Sequence, residues 1–193
     1  MREELILEVI RERWSPYAFS SAPVEEYKLK AMFEAASHAP SCNNDQPWLF
    51  VFSTSEQNDV FSHYLGFLAE GNRIWAQNAY ALIICLARTK FSFNGNHNRF
   101  SFYDTGMAVA NMLVQAQSMD VYAHQMAGYS VQKVKDYFKL TDEFEPAAII
   151  ALGYLGDGLT LPPELLKRDE VRRPRKPIHE IVFKNRLSDP AFK

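Results

Sequence analysis

The run of residues 79–87 constrains the possible fold of this chain more than any other stretch. Its sequence is Ala-Tyr-Ala-Leu-Ile-Ile-Cys-Leu-Ala, and none of these residues is charged. Side chains of a strand alternate between its two faces, so a run that is apolar throughout must be covered on both faces. The run therefore predicts a central strand between packed layers, in which Cys85 is a small buried hydrophobic side chain.

Helical and strand-like patterns surround this run. Helical spacing of apolar residues predicts helices at 3–13, 24–38, 56–68, 101–118 and 130–138. Short apolar runs predict further strands at 48–53, 121–127 and 146–155. Residues 13–19 have the pattern of an exposed connector, and residues 70–73 that of a polar break. Strict β-α-β alternation fails, so the pattern favours the α+β class. The helix at 101–118 has little polar face and is expected to be buried, partly in a subunit interface.

Length, charge and cysteine content exclude several classes of protein. The 193 residues suit a single domain over 1–193, and 47% of them are hydrophobic, which is enough for a substantial core. A formal charge of −2 argues against a nucleic-acid partner, since such proteins carry a basic stripe. Two cysteines are too few for a disulfide scaffold. The charged first residues and the lack of a long apolar run predict a soluble cytoplasmic protein without a membrane partner.

The common catalytic motifs are missing from the sequence. There is no G-x-S-x-G elbow, no phosphate-binding P-loop and no G-x-G-x-x-G fingerprint. The five histidines are scattered without the spacing of metal ligands, so no metal site is expected. A thiol nucleophile at Cys42, paired with a remote histidine, is a weakly supported alternative.

Two groups of residues could have either a structural or a functional role. Residues 39–48 form a polar loop between a helix and a strand, which is either a cap and turn or a binding loop. Arg13 with the Ser15 hydroxyl, near one end of the chain, and Arg173 with Arg175, near the other, are either solvated charges or parts of one anion site. The charged, proline-punctuated tail at 160–193 is predicted to be extended. We expect it to wrap a second copy of the chain rather than pack on its own core.

The sequence resembles the FMN-dependent nitroreductase family over nearly its whole length. The first motif of the resemblance comprises Arg13, Ser15, Phe19, Pro23 and Val24. The second and most specific comprises Ala39, Pro40, Ser41, Asn44, Gln46, Pro47 and Trp48. Supporting segments contain Asn72, Arg73 and Trp75; Asp104, Gly106, Ala108, Ala110 and Asn111; Gly128 and Tyr129; and Arg173, Arg175, Lys176 and Pro177.

The resemblance implies a fold and a cofactor site. The fold would be a central, mostly antiparallel sheet flanked by helices, in a homodimer with an extended C-terminal arm. FMN would be the cofactor, with its phosphate held by Arg13, Ser15, Arg173 and Arg175. Trp14 and Tyr17 would lie beside the cofactor, and Asn72 would bind the flavin pyrimidine edge. Pro40, Ser41, Cys42 and Asn44 would come from the partner subunit. The backbone N–H of Ala127 or Gly128 would point at flavin N5, the catalytic position.

The implied activity is a ping-pong reduction of nitroaromatics, quinones or other small flat organic electrophiles, with NADH or NADPH as donor. Phe91, Phe93, Phe100 and Phe102 are candidates for the aromatic lining, or ordinary packing residues. The alternatives are a flavin-binding protein without turnover, for storage or sensing, and a specialised flavin reductase or dehalogenase. Two positions depart from the pattern of many relatives: Tyr17 replaces a Lys or Arg near flavin N1, for which Arg73 could substitute, and Trp14 replaces a second basic residue.

Overall fold

The computed structural model describes residues 5–192, and these form an α+β fold. The helices are α1 (Glu8–Glu12), α2 (Glu26–Ser37), α3 (Asn58–Leu65), α4 (Glu70–Ala76), α5 (Ser101–Gln117), α6 (Val131–Phe138) and α7 (Pro163–Glu170). The strands are β1 (Phe19–Ser20), β2 (Trp48–Thr54), β3 (Ala81–Arg88), β4 (Tyr122–Met126) and β5 (Phe144–Leu155). Short 3₁₀ turns occur at Cys42–Asn44 and Ile178–Glu180. The α+β class predicted from the sequence is confirmed.

The five strands form one sheet in which every recorded pairing is antiparallel. The main path is β1-β5-β3-β2, and β4 also pairs with β5. The strand β3 lies between β2 and β5, and its residues 81–87 are all buried. This confirms the central strand predicted from the uninterrupted apolar run. Burial of the Cys85 side chain, which is fully inaccessible, raises the pKa of its thiol to about 12.

The sheet separates two hydrophobic layers because the side chains of β3 alternate between them. Leu82 and Ile84 face a layer built with α3, α4, α6 and α7, whose largest buried side chain is Trp75. Ile83 and Cys85 face the opposite layer, built with α2 and α5. The buried face of α5 agrees with its predicted burial.

Two sequence expectations about short segments are wrong. Residues 13–19 are not an exposed connector, because Pro16, Ala18 and Phe19 are buried and β1 pairs with the end of β5. Residues 70–73 are not a polar break, because they belong to α4, whose Trp75 lies in the core. Each segment is too short to show a period, and tertiary contacts decide its conformation.

The expectation that the tail does not pack on its own core is also wrong in part. Leu161 is buried, and α7 buries Leu165 in the same layer as Trp75. Residues 171–181, which follow α7, are all exposed. None of the described helices has the length and apolar character that crossing a membrane requires.

Candidate functional site

A cleft of about 390 Å³ brings together the two basic ends of the chain. We call it the arginine cleft, and its lining residues are Arg11, Arg13, Trp14, Ser15, Arg168, Arg172, Arg173 and Arg175. The N-terminal group therefore converges with the tail, which the sequence left open. Three lining residues, Arg11, Arg168 and Arg172, were not among the site residues predicted from the sequence.

The arginine cleft has positive charge that the described part of the chain does not neutralise. Burial lowers the pKa of Arg13, and the nearby charge of Arg175 lowers it further. Within residues 5–192, the structure records no salt bridge for Arg13, Arg173 or Arg175, whereas Arg11 pairs with Glu12 at 3.2 Å. Guanidinium groups held this way, without a carboxylate, form a site that favours an anion.

The backbone that carries Arg13 and Ser15 is held against the end of α7. Arg13 Nη1 lies 3.4 Å from Ser15 Oγ, so both groups point into the same space. The guanidinium of Arg172 lies over the Trp14 ring, 4.2 Å from its centroid. The carboxylate of Asp169 accepts hydrogen bonds from the backbone of residues 17 and 18 at 2.9–3.0 Å.

Tyr17 lies behind the arginine cleft rather than among its lining residues. Its ring centroid is 5.2 Å from that of Trp75 and 4.8 Å from that of His124. Its hydroxyl is 3.5 Å from Arg168 Nη1. Arg73, the possible substitute for a cation at position 17, is paired with Glu70.

A second groove, of about 310 Å³, adjoins the arginine cleft and shares Arg13 and Ser15 with it. Its other lining residues are Ile10, Gly106, Ala110, Leu113, Val114 and Gln125. Gly106 and Ala110 are one turn apart on α5, and because glycine has no side chain and alanine only a methyl group, they leave space above this face of the helix. We call this space the α5 groove; it gives a ligand bound at Arg13 room to extend towards β4.

Asn72 and Gly128 form a second polar cluster, near the end of β4. Asn72 Nδ2 donates to the Gly128 carbonyl at 3.0 Å, and the same carbonyl accepts from the backbone N–H of Ala69 at 2.9 Å. A Cβ at Gly128 would lie 2.8 Å from Asn72 Nδ2, so any larger residue at this position would displace the Asn72 amide. Among the described residues, no acceptor is recorded for the N–H groups of Ala127 and Gly128, and both residues are exposed. They are available as donors.

The strand β4 connects the two clusters. Gln125 lines the α5 groove beside Arg13 and Ser15, and Gly128 follows three residues later. His124 packs against Trp75, which lies on the same helix as Asn72. Burial lowers the pKa of His124, although its ring Nδ1 lies 2.8 Å from the Pro16 carbonyl oxygen. Arg13 and Ser15, two of the predicted phosphate residues, therefore lie beside β4, and the predicted flavin-ring residues lie near its end.

The predicted partner loop lies apart from both clefts within one chain. No residue of 40–44 lines the arginine cleft or the α5 groove. Pro40 and Asn44 are exposed, and the N–H of Cys42 donates to Asp104 on α5 at 3.0 Å. Ser41 Oγ accepts from the Gln46 N–H at 3.0 Å, so the serine also stabilises the turn.

Aromatic residues predicted to line a substrate site lie beside this loop. Asp45 accepts from the backbone N–H and the hydroxyl of Ser92 at 2.9 and 2.6 Å, which joins residues 91–93 to the loop. The rings of Phe91 and Phe93 are 5.2 Å apart, and Phe93 is largely exposed. The loop at 39–48 and the aromatic residues 91 and 93 therefore lie next to each other on the surface.

The part of the chain that matches a known family contains most of the predicted site residues. The model of the Nitroreductase family matches residues 10–154, a range that includes Arg13, residues 40–44, Asn72 and Gly128 but ends before α7. An uncharacterised 15.4 kDa protein from the ask 5′ region of Mycolicibacterium smegmatis is 32% identical over 133 residues, which are 69% of this chain and 88% of the relative.

Solved structures resemble most or nearly all of the chain. An oxidoreductase containing FMN is 30% identical, with a TM-score of 0.90 over 98% of this chain and 96% of the other. A protein from Bacteroides thetaiotaomicron with the provisional name NADH dehydrogenase/NAD(P)H nitroreductase is 26% identical. Its TM-score is 0.65, over 77% of this chain and 85% of the other. The first similarity extends through α7 and the tail, which the family model does not reach.

Proposed function

Because the chain belongs to the nitroreductase family, we propose that it is a flavin-dependent oxidoreductase that binds FMN. We further propose that NADH or NADPH is its electron donor and that it reduces flat electrophiles such as nitroaromatics and quinones. The observation that carries the proposal is the convergence of Arg13, Arg173 and Arg175 on one cleft without a recorded carboxylate partner among residues 5–192.

The residues present fit a flavin mononucleotide at both ends of that molecule. The phosphate carries a charge of about −2, which matches guanidinium groups and the Ser15 hydroxyl. At the other end, Gly128 has no Cβ, and the Asn72 amide lies in the space that a Cβ at this position would need. The α5 groove shares residues with the arginine cleft and provides space between the two ends.

The proposed roles of the protein residues follow from their donors and acceptors. Arg13, Ser15, Arg173 and Arg175 would bind the phosphate. Asn72 can bind the pyrimidine edge through its Oδ1, which accepts no recorded hydrogen bond within residues 5–192. The N–H of Ala127 or Gly128 would donate at the reactive edge of the ring. A bound flavin supplies hydride transfer, while the protein supplies binding, orientation and electrostatics.

The homodimer is part of this proposal because the predicted site draws on two regions that one chain keeps apart. Pro40, Ser41, Cys42 and Asn44 line neither cleft of their own chain, and they would complete the site of a second copy. Exposed apolar residues after α7, including Ile178, Ile181 and Leu187, support a tail that packs on a partner.

The substrates are proposed from the exposed aromatic rings and from one relative. Flat rings such as Phe93 and Phe102 stack on flat molecules with little further selection, which favours broad specificity. The name of the Bacteroides thetaiotaomicron relative includes both NADH dehydrogenase and NAD(P)H nitroreductase, which supports a nicotinamide as the electron donor. If donor and electrophile use one open cleft in turn, steady-state kinetics should be ping-pong.

Flavin binding is the first experiment. The purified protein should be yellow or should become so with added FMN, and a fluorescence titration gives the Kd. Arg13→Met should weaken FMN binding by about 10- to 100-fold because a charge-assisted phosphate contact is lost. Riboflavin, which lacks the phosphate, should bind the variant as it binds the wild type. Lys30→Met, which removes an exposed charge on α2, should change neither affinity. Wild-type protein that does not bind FMN would contradict the site.

Turnover is tested separately from binding. Anaerobic addition of NADH or NADPH to the FMN-loaded protein should bleach the flavin absorbance, and a nitroaromatic or quinone should restore it. Bound flavin that neither nicotinamide bleaches would refute the enzyme proposal while leaving the flavin site intact.

A further inference from the structure

We propose that Asp169 is a positioning residue for the arginine cleft, a role that rests on the proposed flavin site. Its carboxylate joins the last turn of α7 to the backbone of residues 17 and 18. Asp169 Oδ2 accepts from the Ala18 N–H at 2.9 Å, and both carboxylate oxygens lie 3.0 Å from the Tyr17 nitrogen. This contact sets where Arg173 and Arg175 meet Arg13.

The location of Asp169 is unfavourable for an acid unless the carboxylate has a partner outside its helix. It lies in the last turn of α7 (Pro163–Glu170), where the helix dipole favours cations, and Lys167 and Arg168 occupy the same turn. The three recorded contacts to backbone N–H groups provide that partner, because hydrogen bonds from N–H groups stabilise a carboxylate. Asp169 therefore serves the connection between α7 and the N-terminal segment rather than the helix itself.

The other end of the connection is fixed to the sheet. Ala18 is buried, its carbonyl accepts from the Gly156 N–H at 3.1 Å, and β1 begins at the next residue. Arg13 and Ser15 lie only a few residues before this anchored point. Asp169 consequently ties α7 to the rigid part of the segment that presents half of the anion site.

The tail arginines depend on this connection because little else holds them. For residues 172–176, the structure records no hydrogen bond to the rest of residues 5–192, and all five residues are exposed. Arg172 stacks on Trp14, whereas Arg173 and Arg175 have no recorded salt bridge within residues 5–192 and line the cleft together with four other arginines. Like charges repel, so without Asp169 the tail would move away from Arg13 and the phosphate contacts would be lost.

The test compares FMN with riboflavin in Asp169→Asn. The amide keeps the size of the side chain and one acceptor oxygen. Because both carboxylate oxygens lie 3.0 Å from the Tyr17 nitrogen, either orientation of the amide places its NH₂ group against the Tyr17 N–H. We expect the Kd for FMN to rise about tenfold and the Kd for riboflavin to stay within about twofold of the wild type. The matched control is Glu170→Gln, which removes the same charge from the adjacent exposed position and should leave both affinities unchanged. An unchanged FMN affinity in Asp169→Asn, or an equal loss for both ligands, would overturn the proposal.

A double-mutant cycle separates positioning from a general structural role. In a variant that carries Arg173→Gln and Arg175→Gln, the additional change Asp169→Asn should weaken FMN binding no further, since it acts through those arginines. A full tenfold loss in that background would refute the positioning role. Failure of the wild type to bind FMN would instead refute the proposed function.

Hydrogen exchange tests the contact between Asp169 and the backbone of residues 17 and 18 in the wild-type protein, so no variant is needed. The amide protons of Tyr17 and Ala18 should exchange slowly, at rates similar to those of β5, because the carboxylate of Asp169 accepts both. Exchange at these two amides as fast as at exposed residues of the tail would overturn the proposal, with or without bound flavin.

Discussion

Replacing Gly128 by alanine should weaken flavin binding with little loss of stability. The added Cβ would lie 2.8 Å from Asn72 Nδ2, which is about 0.6 Å closer than the 3.4 Å at which ordinary contact begins. Its other neighbour, the Cβ of Ala69, is at an ordinary 3.7 Å. The backbone of Gly128 is not left-handed, so alanine adopts it without strain. The Asn72 amide is therefore the group that must move.

The size of the effect follows from that displacement. The hydrogen bond from Asn72 Nδ2 to the Gly128 carbonyl is 3.0 Å long. A shift of about 0.6 Å lengthens it to about 3.6 Å, at which it no longer counts as a hydrogen bond. Its loss should lower the free energy of unfolding by about 0.5–1.5 kcal/mol. Misplacing one amide contact to the flavin, worth about 1 kcal/mol, should raise the Kd for FMN about fivefold.

The assay pairs chemical denaturation with a fluorescence titration of FMN. Gly71→Ala is the matched control, because it lies in α4 beside Asn72 and its Cβ would meet nothing within 4 Å. That variant should gain a few tenths to about 1 kcal/mol of stability and keep its flavin affinity. A folded Gly128→Ala protein with wild-type FMN affinity would refute the placement of Asn72 and Gly128 at the flavin.

Three further outcomes test the fold and its buried groups. Gly156→Ala should lower the free energy of unfolding by roughly 2 kcal/mol or more in urea titrations, since its Cβ would lie 2.4 Å from the backbone carbonyl oxygen of Phe19; a loss near zero would contradict the close approach of β1 and β5. The partly buried His124 has a pKa below its ordinary 6.5, so the unfolded state binds more protons in that range and the free energy of unfolding should fall as the pH decreases through about 6.5. His124→Gln should remove that part of the pH dependence, and an identical slope in both proteins would argue against it. In a Cys42→Ser protein at about pH 8, a thiol reagent should label Cys85 only after unfolding, because burial raises its pKa to about 12; rapid labelling of the native protein would show an accessible thiol.

Long apolar patterns were the part of the fold that the sequence predicted well. The run at 79–87 predicted a central strand covered on both faces, and β3 is buried through residue 87. The small elements β1, α4 and α7 were missed because each has only one or two core residues, such as Trp75 and Leu165. A signal for α7 was present, since Pro163 at its first turn precedes two leucines, but the surrounding charges outweighed it.

The candidate site was predicted as a set of residues and not as a geometry. The resemblance selected Arg13, Ser15, Arg173 and Arg175, and all four line one cleft. It did not indicate Arg168 or Asp169, because the roles of these residues depend on how α7 packs. The predicted contributions of residues 40–44 and of Tyr17 stay predictions.

The amino-acid sequence by itself determined the layers of this protein and the residue types available for a flavin site. Burial leaves a local and periodic record in the chain, so the buried strand and the amphipathic helices can be read from it. Only the tertiary structure decided that Arg13 and Arg175 meet, although they come from opposite ends of the chain, and that the carboxylate of Asp169 joins their supports. The physical reason is that such contacts have no local pattern and exist only once the sheet has brought β1, β5 and α7 together.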